Sequence, residues 1–189
     1  ALTKLEFAYG LACRMAEAIG DSSPATQEML GELLGFVEVT RSAVLISAEH
    51  GRDIGNGVWF PDGRPLNPMR SLLATWFPRV NEIIMLIGSH NLLAAPSRRQ
   101  LDDARLRPLL DEFLHGAKDT GTEERAALFR LAWDFVGSSL AGRNVLYERF
   151  YLTSAARNRI NNHLRHVDRS RAYALVDGIL AAGRKAPDR

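Results

Sequence analysis

The chain has 189 residues, of which 46% are hydrophobic and 24% charged, with a formal net charge of +2. That composition supports one folded domain and excludes a disordered chain, and so small a charge gives no argument for nucleic acid or an anionic membrane. Cys13 is the only cysteine, which excludes an intrachain disulfide framework and a cysteine-rich zinc site.

Helical periodicity runs from the first residue. Leu5, Ala8, Ala12, Met15 and Ile19 fall on one stripe of a first helix that Gly20 and Asp21 end. No capping residue precedes it, which leads us to expect a domain cut from a longer polypeptide, with a removed initiator methionine as the alternative. Glu6, Arg14 and Glu17 interrupt what would be the apolar stretch of a secretory signal, so a soluble, cytoplasmic protein is expected. Ser23 before Pro24 starts a second helix: the hydroxyl can accept a free amide, and proline suits the first helical position. Its apolar face reads Leu30, Leu33, Leu34, Val37 and Val44, ending near His50 and Gly51. Gly55, Gly57, Pro61, Gly63 and Pro65 then mark a loop with a short extended piece at Val58, Trp59 and Phe60.

Asn67 before Pro68 predicts a third helix with Met69, Leu72, Leu73, Trp76, Val80, Ile83, Ile84 and Ile87 inward and a kink at Pro78. Its run from Ile83 to Ile87 is the longest uninterrupted Ile/Leu/Met/Val run of the chain and far short of the ~20 residues of a membrane span. Gly88 to Ser97 reads as a loop, with Gly88 as a left-handed helix stop, and Leu106 to His115 as a short helix. Thr122 caps a long helix whose first turn carries Glu123 and Glu124, favourable against the helix dipole. Its inward residues are Leu128, Leu131, Phe135, Val145 or Leu146, and Phe150. Two short helices follow, the second capped by Asp168. With no βαβ pattern and no fixed-period repeat, the expectation is all-α: a four-helix bundle, residues 1–189 forming a single helical domain.

Few side-chain groupings carry chemistry. Glu112 and His115 have a Glu-x-x-His spacing, but no other Glu is followed three residues later by His, so a di-iron site is not expected. His163 and His166 stand one turn apart among Arg157, Arg159, Arg165, Arg169 and Arg171, a setting that repels a metal cation and reads as a solvated basic face. Those arginines are the only argument for nucleic acid, and only Tyr173 lies near them, so neither nucleic acid nor a membrane is an expected partner.

The most unusual stretch is Gly137-Ser138-Ser139-Leu140-Ala141-Gly142-Arg143-Asn144. Small residues at 137, 138, 141 and 142 clear a strip along the long helix, although each interior glycine costs about 1 kcal/mol relative to alanine. Either a neighbouring backbone packed close or a ligand on the strip must offset that cost. Arg143 and Asn144 add a cation and an amide at its edge, and the guanidinium can grip a pyrophosphate bidentately. No nucleophile–base pair or carboxylate dyad is visible, so no catalytic residue and no metal ligand is assigned.

At this strip the sequence resembles a known family. Glu124-Arg125, Leu128-Phe129-Arg130-Leu131-Ala132-Trp133-Asp134, Gly142-Arg143 and Leu146-Tyr147-Glu148-Arg149-Phe150-Tyr151 are similar to the C-terminal region of the 4-hydroxyphenylacetate 3-monooxygenase oxygenase family. Glu32-Leu33, Pro61-Asp62, Leu66-Asn67, Arg70, Phe77-Pro78-Arg79, Gly88 to Leu92 and Pro96-Ser97 agree in the same order. The resemblance implies a four-helix bundle of the acyl-CoA dehydrogenase C-terminal type, and a whole enzyme that hydroxylates phenolic rings ortho to the hydroxyl. It implies O2 and reduced FAD as co-reactants, the flavin coming from a separate reductase, and a homotetramer. It places the flavin edge at Gly142, Arg143, Asn144 and Val145, with Ser138 one turn earlier. Gly88 to Asn91 resembles the glycine loop by which related dehydrogenases contact a neighbour's cofactor. The alternatives are the bundle of an acyl-CoA dehydrogenase or a 4-hydroxybutyryl-CoA dehydratase, or a non-catalytic helical scaffold.

Overall fold

Three long helices carry the core: α1 (Leu2–Ile19), α2 (Pro24–Glu49) and α3 (Gly63–Gly88). The structure, a computed structural model, describes residues 1–165 and 168–185. Between α2 and α3 a two-residue ladder pairs β1 (Arg52–Asp53) with β2 (Trp59–Phe60), antiparallel, the extended piece expected there. Short turns α4 (Asn91–Ala94), α5 (Arg98–Leu101) and α6 (Arg107–Phe113) lead to α7 (Thr122–Val136), α8 (Ser139–Phe150), α9 (Ala155–Arg165) and α10 (Ser170–Lys185). The all-α expectation holds. Within it α3 is the axis, packing against α1, α2, α7, α8 and α9.

The α1 stripe buries as its spacing dictates, with Leu5, Ala8, Ala12 and Met15 joined by Leu11 and Ala16. Gly20 stops the helix at φ 68, a left-handed conformation that glycine adopts without Cβ strain, and its amide reaches back to Ala16 and Glu17. Ser23 caps α2, its hydroxyl accepting from the Thr26 amide, with Pro24 in the first turn. On α2, Leu33 and Val37 are buried, whereas Leu34 and Val44 are exposed. Farther along, Thr40 and Ser47 are buried instead, their hydroxyls donating to the carbonyls of Phe36 and Asp62.

The third helix starts four residues earlier than Asn67 predicts. Asp62 caps it by accepting from the Arg64 amide at 2.9 Å, and the helix continues through Pro68 and Pro78 to Gly88. The left-handed turn after it falls on Ser89 (φ 46), not on Gly88. Gly88 is bare for another reason: a Cβ there would stand 2.6 Å from the Leu92 side chain. The stretch expected as loop contains α4, and Ser97 opens α5 through a reciprocal capping box with Gln100. Thr122 is the first residue of α7 rather than its cap, and Leu131 is exposed while Phe129 and Ala132 take the core. Among the described residues no helix is long and apolar enough to cross a membrane.

Candidate functional site

The expected long helix from Thr122 to Phe150 is broken. Its last α7 carbonyls are capped at Gly137 and Ser138, whose amides both reach the Trp133 carbonyl. Gly137 has no room for a side chain, since a Cβ would meet the Trp133 indole at 2.6 Å. Ser138 starts α8: its hydroxyl donates to the Asp134 carbonyl at 2.7 Å and accepts from the Ala141 amide at 3.2 Å. A serine oxygen so placed satisfies an amide that the new helix leaves free. The strip of small residues therefore does not run along one helix. Gly137 and Ser138 make the break, Ala141 is buried, and Gly142 alone is a glycine in a helix interior.

The break resets the phase of α8, and this decides where the five candidate side chains go. Gly142 and Arg143 lie on the exposed face, with Leu146, Tyr147 and Phe150 continuing it toward the C-terminus. A Cβ at Gly142 would meet nothing within 4 Å. No helix of the described chain packs there, which removes intrachain packing as the reason for this glycine. Gly10, Gly31 and Gly35 also face open space, so bareness by itself is not distinctive; what sets Gly142 apart is its neighbour. Arg143 makes no ion pair or side-chain hydrogen bond among the described residues. Asn144 and Val145 turn the other way and line a small cavity with Lys4, Phe77, Asn81 and Phe135. Ser138 spends its hydroxyl on the cap. The structure thus brings Gly142 and Arg143 together, sets Asn144 and Val145 beneath them, and makes Ser138 the cap of α8.

Other candidates fall into structural roles. His115 sits at the exposed end of α6, its Nδ1 3.1 Å from the Glu112 carbonyl, and no group of three metal-ligating side chains occurs among the described residues. His163 is exposed on α9, and its expected companion His166 lies outside the described residues. Arg157, Arg159, Arg165 and Arg171 are solvated, as expected of a basic face. In the Gly88 to Asn91 loop, the Asn91 amide oxygen accepts from Arg125 at 2.6 Å, and the same guanidinium donates to the Leu114 carbonyl at 3.2 Å. Burial pulls the Arg125 pKa below its ordinary value. That clamp joins α7 to the start of α4 and the end of α6 and escapes sequence reasoning, because nothing local marks its partners. Asn158 was missed too: it is buried, its amide donating to the carbonyls of Leu152 and Arg70 to dock α9 on α3. A cleft of about 490 Å³ between α1 and α2 is lined in part by Tyr9, Cys13, Glu17 and Lys118. Burial pushes the Cys13 thiol up, which makes it a poor nucleophile.

The helical bundle defines the class. A 4-hydroxybutyryl-CoA dehydratase from N. maritimus superposes with a TM-score of 0.77 over 98% of this chain and 37% of its own, at 17% identity, a likeness of fold alone. The family is narrower. Residues 1–181 match the family described as 4-hydroxyphenylacetate 3-hydroxylase C terminal, and the chain belongs to it. The 4-hydroxyphenylacetate 3-monooxygenase oxygenase component of Thermus thermophilus is 36% identical over 155 residues, which is 82% of this chain and 32% of that protein. The crystal structure of such an oxygenase component complexed with FAD superposes with a TM-score of 0.88 at 31% identity, covering 97% of this chain and 38% of that one. The chain therefore spans about a third of the length of the relatives it matches.

Proposed function

We propose that this chain is the helical C-terminal domain of a longer, two-component phenol hydroxylase that uses reduced FAD and O2, and that the outer face of α8 forms one edge of its flavin site. The observation that carries this reading is the pairing of an unencumbered Gly142 with an unpaired Arg143 on a helix that buries only Ala141. Glycine lets a ligand approach the helix backbone, and a guanidinium meets phosphate oxygens with two parallel donors. Bound reduced FAD supplies the oxygen-activating chemistry for hydroxylation next to a phenolic hydroxyl.

The chain's own residues do simpler work. Arg143 offers positive charge to the cofactor's phosphates, and Gly142 keeps the approach clear. Asn144 and Val145 act from beneath, seating α8 on the core. Ser138 sets where α8 begins and hence the direction of Arg143. Leu146 and Phe150, each 61% exposed, extend an apolar surface that helps keep water from the flavin once covered. No proton transfer is assigned to this domain, and the phenolic substrate is held by other parts of the enzyme.

The same reading includes a separate flavin reductase, a cytoplasmic location and a homotetramer. Exposed apolar side chains on α8 and α10, among them Tyr173, Val176, Ile179 and Leu180, support self-assembly, since monomers seldom leave such runs bare. The hydroxylase reading is preferred to a dehydratase or dehydrogenase because the likeness to the hydroxylase relatives extends to 36% identity, against 17% for the dehydratase. The test is an anaerobic titration of the full-length enzyme with reduced FAD. Arg143→Ala is expected to weaken binding about tenfold, equivalent to ~1.4 kcal/mol, and an unchanged affinity removes the assignment.

A further inference from the structure

Helix α8 needs an anchor that apolar burial does not supply. It packs against α3 and α7, with the Ser138 cap tying its first turn to α7, yet Ala141 is its only fully buried residue. The strongest tie on its inner face is electrostatic. The Lys4 ammonium, at the start of α1, pairs with the Glu148 carboxylate across 144 positions of sequence. The two side chains are 31% and 13% exposed, enough burial for the loss of either partner to strand the other charge. The same ammonium lies 5.5 Å from the ring centroid of Phe77 on α3 and 5.5 Å from that of Tyr147 on α8, distances suited to cation–π attraction.

The register along α8 connects this tie to the outer face. Glu148 is one turn beyond Asn144, and Tyr147 is one turn beyond Arg143. Lys4 therefore grips both rows at once: the inner row through Glu148, and the row bearing Arg143 through Tyr147. Desolvation and the neighbouring Tyr151 hydroxyl push the Tyr147 phenol up. Around the pair, Phe77, Asn81, Phe135, Asn144 and Val145 line a small cavity.

We propose that Lys4 and Glu148 are positioning residues, a latch that holds α8 so that Arg143 and Gly142 meet reduced FAD; this rests on the flavin-edge reading above. The pair touches no cofactor. Its role is to set the angle at which α8 presents its outer face, adding to the Ser138 cap and the packing on α3 and α7 a tie at the far end of the helix.

The test uses the full-length enzyme with Lys4→Met, Glu148→Gln and the reversed pair Lys4→Glu/Glu148→Lys, and Arg143→Ala as the reference. Two quantities are measured on each: the Kd for reduced FAD by anaerobic titration well below Tm, and Tm without flavin. Each single variant is expected to weaken flavin binding about tenfold, and the reversed pair to recover to within about threefold, as coupled charges do. On the Lys4→Met background, Arg143→Ala should add less than it does alone. A fall in Tm with Kd unchanged makes the pair merely structural and overturns the latch. So does a reversed pair that regains Tm but binds flavin as weakly as the singles, which keeps the test decisive if a single variant fails to fold. Kd unchanged in both singles but weakened in Arg143→Ala sinks the latch and leaves the flavin edge standing. Kd unchanged in all of them sinks both.

Discussion

The first half and the last third of the chain use the same helical period to opposite ends. In α1 and α3 the apolar stripes close on one another, and Ala8, Val80, Ile83 and Ile84 are wholly buried. In α10, Tyr173, Val176, Ile179 and Leu180 recur at the same spacing, yet every described side chain of that helix is exposed. Helix α8 lies between these extremes, with one buried alanine and a row of exposed aromatics. Periodicity says which face of a helix is to be covered; it does not say whether the cover belongs to the same chain. In the first half it does.

That contrast can be broken most sharply at two phenylalanines. Phe129 is 1% exposed, beneath the Arg125 guanidinium, and Phe129→Ala should cost about 3–5 kcal/mol in urea denaturation. Phe150→Ala, at an exposed site of α8, should change stability by no more than about 0.5 kcal/mol under conditions where the protein does not self-associate. Equal losses at the two sites would erase the distinction between a closed and an open region.

A smaller effect lies at the end of α3. Ser89 holds φ 46 and ψ −139, a sparsely populated conformation for a residue with a Cβ. Ser89→Gly should therefore raise stability by about 1 kcal/mol, read as a higher Tm. A lower Tm would mean the serine side chain contributes more than its backbone strain costs.

The smallest is a pH effect at the α1–α2 turn. Hydrogen bonds from the Thr26 hydroxyl and the Ser23 amide hold the Asp21 carboxyl below its usual range. A depressed folded-state pKa contributes stability above the ordinary carboxylate value, and that contribution is lost as pH falls through the folded value. Asp21→Asn should flatten the fall of Tm between about pH 5 and pH 3 and leave its shape near neutrality unchanged. An unaltered acid limb would show the turn to be carried by Ser23 and Gly20 alone.

What was legible follows the same division. The α1 stripe, its glycine stop and the Ser23-Pro24 start are local signals, and each is found where its residues place it. The break at Gly137–Ser138 was hidden because an apolar period on both sides bridges a single glycine. Its signal was present, a serine three residues before Ala141 with its hydroxyl free to cap. Of the two inward alternatives, Val145 and Leu146, the structure turns Val145 toward the core and leaves Leu146 exposed, with Asn144 beside Val145 on the inner side. Arg125, Asn158 and Lys4 find partners 34, 88 and 144 positions away, and no spacing rule reaches that far. Gly142 and Arg143 themselves stood out through family resemblance and an unexplained glycine, not through any motif that names a cofactor.

The claim that α8 meets reduced FAD is tested most directly by Gly142→Leu in the full-length enzyme. Nothing lies within 4 Å of the Cβ position, and leucine favours a helix over glycine by about 1 kcal/mol or slightly less. The account predicts a Tm equal to or above that of the parent together with loss of reduced-FAD binding in an anaerobic titration. Parent-like flavin affinity at that Tm would contradict it.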